Sequence, residues 1–168
     1  MKLFNTTKKS ILAIIIILII AFIFFNSIKT GEESTKISEL AAKVVSGFVL
    51  FVFGKQPLDS LIYYFYSDFI AHIRIIAHFI EFFMLGFAST IFLSIQDFKE
   101  KKFFNKSLFF GLFIATSDET LQLFSVGRAF QLSDIFIDMM GYTSAAIVIF
   151  LFSLYLKRAR KPALNKSL

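Results

Sequence analysis

The chain has 168 residues, 57% of them hydrophobic and 18% charged, more apolar and less charged than the roughly 45–50% and about 25% of a soluble domain. That excludes a disordered chain, and one domain of this length has room for about four bilayer-spanning helices and their loops. With no cysteine it has no disulfide framework, thiolate zinc site or cysteine nucleophile, and the net charge of +6 is read through its distribution across a membrane, not as a nucleic-acid footprint.

The first predicted element is a span over about 11–28, built on the unbroken apolar run Ile11–Phe25. Lys2, Lys8 and Lys9 precede it as they would a signal peptide, but no small-residue cleavage site follows, so it is read as an uncleaved anchor. Segment 29–73 is mixed and is expected on the extracytoplasmic side. Lys29–Lys36 is polar and turn-like. Ile37, Leu40, Ala41, Val44, Val45 and Phe48 then recur at helical spacing opposite Lys36, Glu39, Lys43 and Ser46, the pattern of an amphipathic helix. Gly54, Lys55, Gln56, Pro57 and Asp59 break it. Leu58, Leu61, Ile62, Phe65 and Phe69 form a weaker second stripe, with Tyr63, Tyr64 and Tyr66 suited to headgroup level. Both stripes are placed on the membrane face and not through it.

Three further spans are predicted at about 75–95, 107–126 and 134–156, with a charged loop at 96–106 and a turn at 127–133. The fold class is therefore an all-α, polytopic four-transmembrane-helix bundle with interfacial helices between spans 1 and 2, the whole of 1–168 forming one membrane domain. Twelve of the 18 basic residues fall at the N-terminus, in the 96–106 loop and in the tail (Lys157, Arg158, Arg160, Lys161, Lys166). The positive-inside rule then places both termini in the cytoplasm.

This topology gathers scattered polar residues. Arg74, His78 and Glu81 on the second span, Asp118, Glu119 and Gln122 on the third, and Asp134 and Asp138 on the fourth all fall in the outer half of the bilayer, with Arg128 in the turn beside them. Arg74 and His78, Asp118 and Gln122, and Asp134 and Asp138 are each four residues apart and share a helix face. An ionisable group costs about 2.5–3.5 kcal/mol at a helix centre, so these are expected to face one another or a wet cavity open to the outside: a candidate ligand-binding pocket. Read alone, Gln122 is helix-to-helix glue. Gly111 with Ala115, and Gly141 with Ala145, are small-xxx-small pairs that permit close helix approach.

The segments IRIIAHFIEFFMLGF and SDETLQLFSVGRAFQLSDIFIDMMGYTSA resemble the VanZ family of bacterial membrane proteins, over about residues 74–145. The motif positions are His78, Glu81, Asp118, Glu119, Gln122, Gly127, Arg128, Asp134, Asp138 and Gly141; KTGEESTKIS resembles the family's stretch after its first span. Four positions depart from the pattern: Ile75 stands where a lysine is common, Phe82 lacks the usual hydroxyl, Leu121 replaces a histidine and Val126 a proline. The family's namesake is tied to resistance to the glycopeptide teicoplanin. The resemblance implies a bacterial membrane protein and a phenotype class but no reaction. The polar pocket, with Arg74 and Arg128 as partners for phosphate or carboxylate groups, leads to the expectation of a protein of the bacterial cytoplasmic membrane that binds an envelope or glycopeptide-related ligand, such as a lipid-linked cell-wall precursor. No nucleic acid, cofactor or metal is assigned. Two alternatives remain open. One is a membrane-embedded hydrolase or transferase, in which the carboxylates serve as acid and base or, with His78, hold a divalent metal. The other is a proton-coupled transporter, which the absence of acids from the inner halves disfavours.

Overall fold

The computed structural model describes residues 2–53, 66–96 and 100–164. They form five helices, α1 (Lys2–Ser27), α2 (Gly31–Phe53), α3 (Tyr66–Gln96), α4 (Glu100–Gln122) and α5 (Leu132–Leu164), with no strand among the described residues. Most of the second amphipathic stripe, with Tyr63 and Tyr64, lies outside the described residues; its end opens α3.

Three helices contain segments long and apolar enough to cross a bilayer: Thr7–Ser27, His72–Ile95 and Leu132–Tyr155. α4 is not among them, because Glu100, Lys101, Lys102 and Lys106 at its start and Asp118 and Glu119 near its end leave too short an apolar stretch between them. Its boundaries also differ from those expected. The helix begins at Glu100, so charges read as loop belong to its first turns. It ends at Gln122, four residues early, because the backbone tightens into turns: Leu123 N–H donates to Thr120 O at 3.2 Å and Ser125 N–H to Gln122 O at 3.0 Å.

The stretch read as turn-like, Lys29–Lys36, is helical from Gly31. The cause is a capping box. Thr30 donates through its backbone N–H (2.9 Å) and its hydroxyl (3.0 Å) to Glu33 Oε2, while Glu33 N–H donates back to Thr30 Oγ1 at 3.2 Å. Those bonds hold the Glu33 carboxyl below the usual glutamate range, so the cap is complete above the ordinary glutamate value and weakens as pH falls through the lowered one. Thr30→Ala is expected to cost about 1 kcal/mol, read as a lower denaturation midpoint of the detergent-solubilised protein; an unchanged midpoint would remove the cap from the stability account.

α3 and α5 share the most extensive interface, α4 packs on both, α1 lies against α3 and α4, and α2 rests on α3. Ile16 and Ile23 of α1, Phe82 and Leu85 of α3, Ile114 and Ala115 of α4, and Tyr142 of α5 make the core. The outer faces are as apolar as the core: Ile17, Leu18, Phe109, Phe113, Phe136 and Phe152 are all exposed. In water that surface would aggregate; in hydrocarbon it is the expected exterior. The apolar stripe of α2 also points outward, with Leu40, Val44 and Phe48 exposed, while Ser38 and Ala42 are buried.

Backbones approach closely where side chains are smallest. A Cβ on Gly86 would lie 2.5 Å from Tyr142 O, one on Gly141 would collide with Phe79 O, and one on Gly111 would lie 2.7 Å from the Tyr142 ring. Ala115 and Ala145 are wholly buried. The Tyr142 hydroxyl is shared with Ser89 Oγ at 2.6 Å and Ser107 Oγ at 2.9 Å, and Ser107 reaches Thr90 Oγ1 at 2.7 Å. This neutral knot satisfies four buried hydroxyls and ties α3, α4 and α5 together.

Candidate functional site

The polar residues of four helices meet at one end of the bundle. α1 contributes because its apolar run ends in Asn26 and Ser27. Ser27 is buried, and its hydroxyl donates to Asp118 Oδ1 on α4. Asn26 Nδ2 donates to Glu81 Oε1 on α3 at 2.9 Å, and its Oδ1 accepts from Lys29 Nζ at 2.9 Å. Lys29 is steadied further by the Phe25 ring, 4.8 Å from its centroid.

The turn after α4 is docked onto the α1–α2 junction. Ser125 Oγ donates to Ser27 O at 2.9 Å, and Gly31 N–H to Val126 O at 3.0 Å. Gly127 has φ +76°, a left-handed conformation that disfavours any residue with a Cβ, and its carbonyl lies where a Cβ on Gly31 would stand. This turn carries Arg128 to the site. Burial and the neighbouring Arg74 hold the Arg128 guanidinium below its ordinary value, opposed by attraction to Asp118, Glu119 and Asp134. Its Nε is buried with no hydrogen-bond partner among the described residues.

The bonds run between helices more than along them. Arg74 of α3 lies 3.5 Å from Asp134 Oδ2 of α5 and donates to Gln122 Oε1 of α4 at 3.4 Å. His78 Nδ1 lies 3.2 Å from Asp138 Oδ1. Gln122 Nε2 donates to Glu119 Oε2 at 2.9 Å and to Asp118 Oδ2 at 3.5 Å, so this one side chain links two carboxylates to Arg74. Glu119 Oε1 accepts the backbone N–H of Gln131 at 2.9 Å, fixing the approach to α5. All nine polar residues singled out in the sequence therefore lie within one cluster. Asp118, Glu119, Gln122 and Asp138 form its buried floor, and Arg74 and Asp134 its partly open rim.

Among the described residues, cavities of two sizes open on this cluster. The larger, about 420 Å³, lies between α2, α3 and α5; Arg74, His78 and Asp134 line it together with Ile70, Ile75 and Ile137. The smaller, about 80 Å³, is lined by Asn26, Lys29, Arg74, His78, Glu81 and Arg128, among others. Ser34 and Ser38 of α2 border both. Asn26, Ser27, Lys29 and these serines were not singled out in the sequence. The polar pair closing the first apolar run was the available signal for α1. For α2 it was the four-residue spacing of Ser34 and Ser38, which puts both on one helix face.

Chemically, the cluster offers cations at a solvent-reaching rim, a histidine oriented by a carboxylate, and a floor of buried acids. The description VanZ/LLP1 belongs to the family model that matches residues 12–153, which spans α1 to α5. No curated protein and no solved structure matches the chain.

Proposed function

The chain belongs to the VanZ/LLP1 family, and from that premise we propose that it is an integral protein of the bacterial cytoplasmic membrane which binds an amphiphilic anionic envelope ligand, contributing through it to glycopeptide (teicoplanin) resistance. α1, α3, α4 and α5 are taken as four spans, α4 being carried across by the outward Phe109, Leu112 and Phe113 and by its packing on α3 and α5. The basic termini and the basic 96–106 segment then face the cytoplasm. The polar cluster faces outward, with α2 lying over it at the interface.

The observation that carries this reading is the two-sided lining of the 420 Å³ cavity. Arg74 offers a charged, forked donor for a phosphate or carboxylate, and Ile70, Ile75 and Ile137 offer an apolar wall for a chain. A lipid-linked cell-wall precursor has such a head and tail. The His78–Asp138 pair favours a second reading, a hydrolase or transferase on the same lipid-linked class, because a carboxylate that orients an imidazole is how a general base is built.

The test is equilibrium binding of a fluorescent polyprenyl phosphate to the full chain in nanodiscs. Arg74 is one-third exposed, so Arg74→Ala is expected to fold. A charged hydrogen bond is worth about 1.5–3 kcal/mol, so affinity should fall about 10- to 150-fold. Equal affinity for wild type and variant would sink the assignment; turnover of the probe would decide for the second reading.

A further inference from the structure

We propose that His78, Asp118 and Asp138 hold a divalent transition-metal cation, Mn2+ or Zn2+, at the floor of the cluster and present it to the anionic head group of the bound ligand. The role in ligand binding rests on the function proposed above; the cation site itself does not.

Three observations point to it. The first is geometric. One donor atom from each of the three side chains lies within 4.8 Å of the other two. His78 Nδ1 and Asp138 Oδ1 are 3.2 Å apart, close to the edge of a tetrahedron of donors with bonds of about 2.0–2.2 Å, about 3.4 Å. The Asp118 donor lies within 4.8 Å of the other two, so it closes in by at most about 1.4 Å to complete that tetrahedron.

The second is an unspent lone pair. Asp138 is wholly buried; Oδ1 meets His78, and Oδ2 has no hydrogen-bond partner among the described residues. A buried carboxylate oxygen is satisfied in nearly every protein, and leaving it bare in a hydrocarbon-surrounded bundle is costly. A cation chelated by both Asp138 oxygens, Oδ1 beside His78 and the bare Oδ2, offsets that cost where the bond to His78 does not.

The third is charge. Glu81, Asp118, Glu119, Asp134 and Asp138 gather near Lys29, Arg74 and Arg128. Five acids therefore face three lysine or arginine side chains. Lys29 is directed to Asn26, and Arg74 to Asp134 and Gln122. Asp118 and Asp138 have no lysine or arginine in contact among the described residues, and a divalent ion, which takes both as carboxylates and His78 as a neutral imidazole, supplies the missing cation.

The donor set narrows the ion. One imidazole with two carboxylates suits Mn2+ or Zn2+ better than the all-oxygen shells of Mg2+ and Ca2+. Three protein ligands leave a coordination position open, as in catalytic and ligand-binding sites. His78 lines both cavities, so the ligand that holds the ion is also the wall of the pocket. Ser27 and Gln122 bond to Asp118 and orient it, the outer-shell arrangement a metal site requires.

The experiment uses the full chain in detergent, stripped with chelator and dialysed against MnCl2 or ZnCl2. One ion per chain by elemental analysis is expected, with a nitrogen coupling in the pulsed EPR spectrum of the Mn2+ form that disappears in His78→Gln. Asp118→Asn and Asp138→Asn, each checked for folding by size exclusion, should lose bound metal at least tenfold. If neither variant folds, the wild-type stoichiometry and its nitrogen coupling carry the test alone. Absence of stoichiometric metal in folded wild type, or binding that survives both Asp substitutions, overturns the site. Polyprenyl phosphate should bind at least tenfold more tightly to the loaded than to the stripped protein. Equal binding to both overturns the cation's role while the cavity reading stands. Metal without phosphate binding overturns the cavity reading and the cation's role together, and supports the ion site alone.

Discussion

Alanine at position 141 is expected to force α3 away from α5 and abolish ligand binding, although the residue touches no part of the cavity. Its Cβ would collide with the backbone carbonyl of Phe79, with Phe79 C at 3.0 Å and Cα at 3.2 Å. Backbone cannot swing aside as a side-chain tip can, so the helices must separate. Gly86 faces Tyr142 backbone in the same way from the opposite helix, so the crossing is pinned at two points. Overpacking of this kind costs about 1–3 kcal/mol. The functional loss is larger because the crossing sets the height of the site: His78 precedes Phe79 by one residue and Asp138 precedes Gly141 by three. Their contact is 3.2 Å long, and a shift of about 1 Å takes it beyond hydrogen-bond range. Gly47 is the internal control. A Cβ there meets nothing within 4 Å, so Gly47→Ala should be neutral, or stabilising by up to about 0.5–1 kcal/mol. Chemical denaturation and polyprenyl phosphate binding of the two alanine variants measure both effects. Wild-type behaviour of Gly141→Ala would show that the crossing does not govern the site.

That the polar residues of several helices meet at one end of the bundle was legible in the sequence, but their partners were not. Spacing of four residues placed Arg74 with His78 and Asp134 with Asp138 on common faces, and the apolar runs placed those faces at one end of the bundle. Arg74 nevertheless meets Asp134 and Gln122, and His78 meets Asp138, because helix-to-helix register follows from contacts such as Gly141 on Phe79, which no single segment encodes. The start of α2 was missed although Thr-x-x-Glu was in plain view: Thr30 and Glu33 sit in a run of polar residues where turn composition outweighed the cap. The Tyr142 knot left no readable trace. Serine and threonine are ordinary within membrane helices, where each can bond to its own backbone, as Ser89 does to Leu85 O at 2.7 Å. Only the fold reveals that Ser89, Thr90 and Ser107 converge on one tyrosine.

Glu119 and Asp138 are both wholly buried, yet opposite outcomes are expected from removing their charge. Both Glu119 oxygens are occupied, Oε1 by Gln131 N–H and Oε2 by Gln122 Nε2. Glu119→Leu takes the acceptor from the part-buried Gln131 N–H and from one buried amide hydrogen of Gln122, the latter costing about 1–3 kcal/mol, and loosens Gln122, which also holds Asp118 and Arg74. The variant should unfold at markedly lower denaturant, with ligand binding failing as a consequence. Asp138 is the reverse case. Oδ2 has no partner among the described residues, so in the ligand-free fold the carboxylate is a cost that its single bond to His78 only partly offsets. Asp138→Asn keeps the shape and an acceptor for the imidazole while removing the buried charge. Its denaturation midpoint should equal or exceed that of wild type, with binding lost. A residue whose replacement stabilises the chain and silences it is one the fold keeps for its chemistry. Denaturation and binding curves on the two variants together test this, for if Asp138→Asn proves as unstable as Glu119→Leu, the Asp138 carboxylate supports the fold in the ligand-free protein.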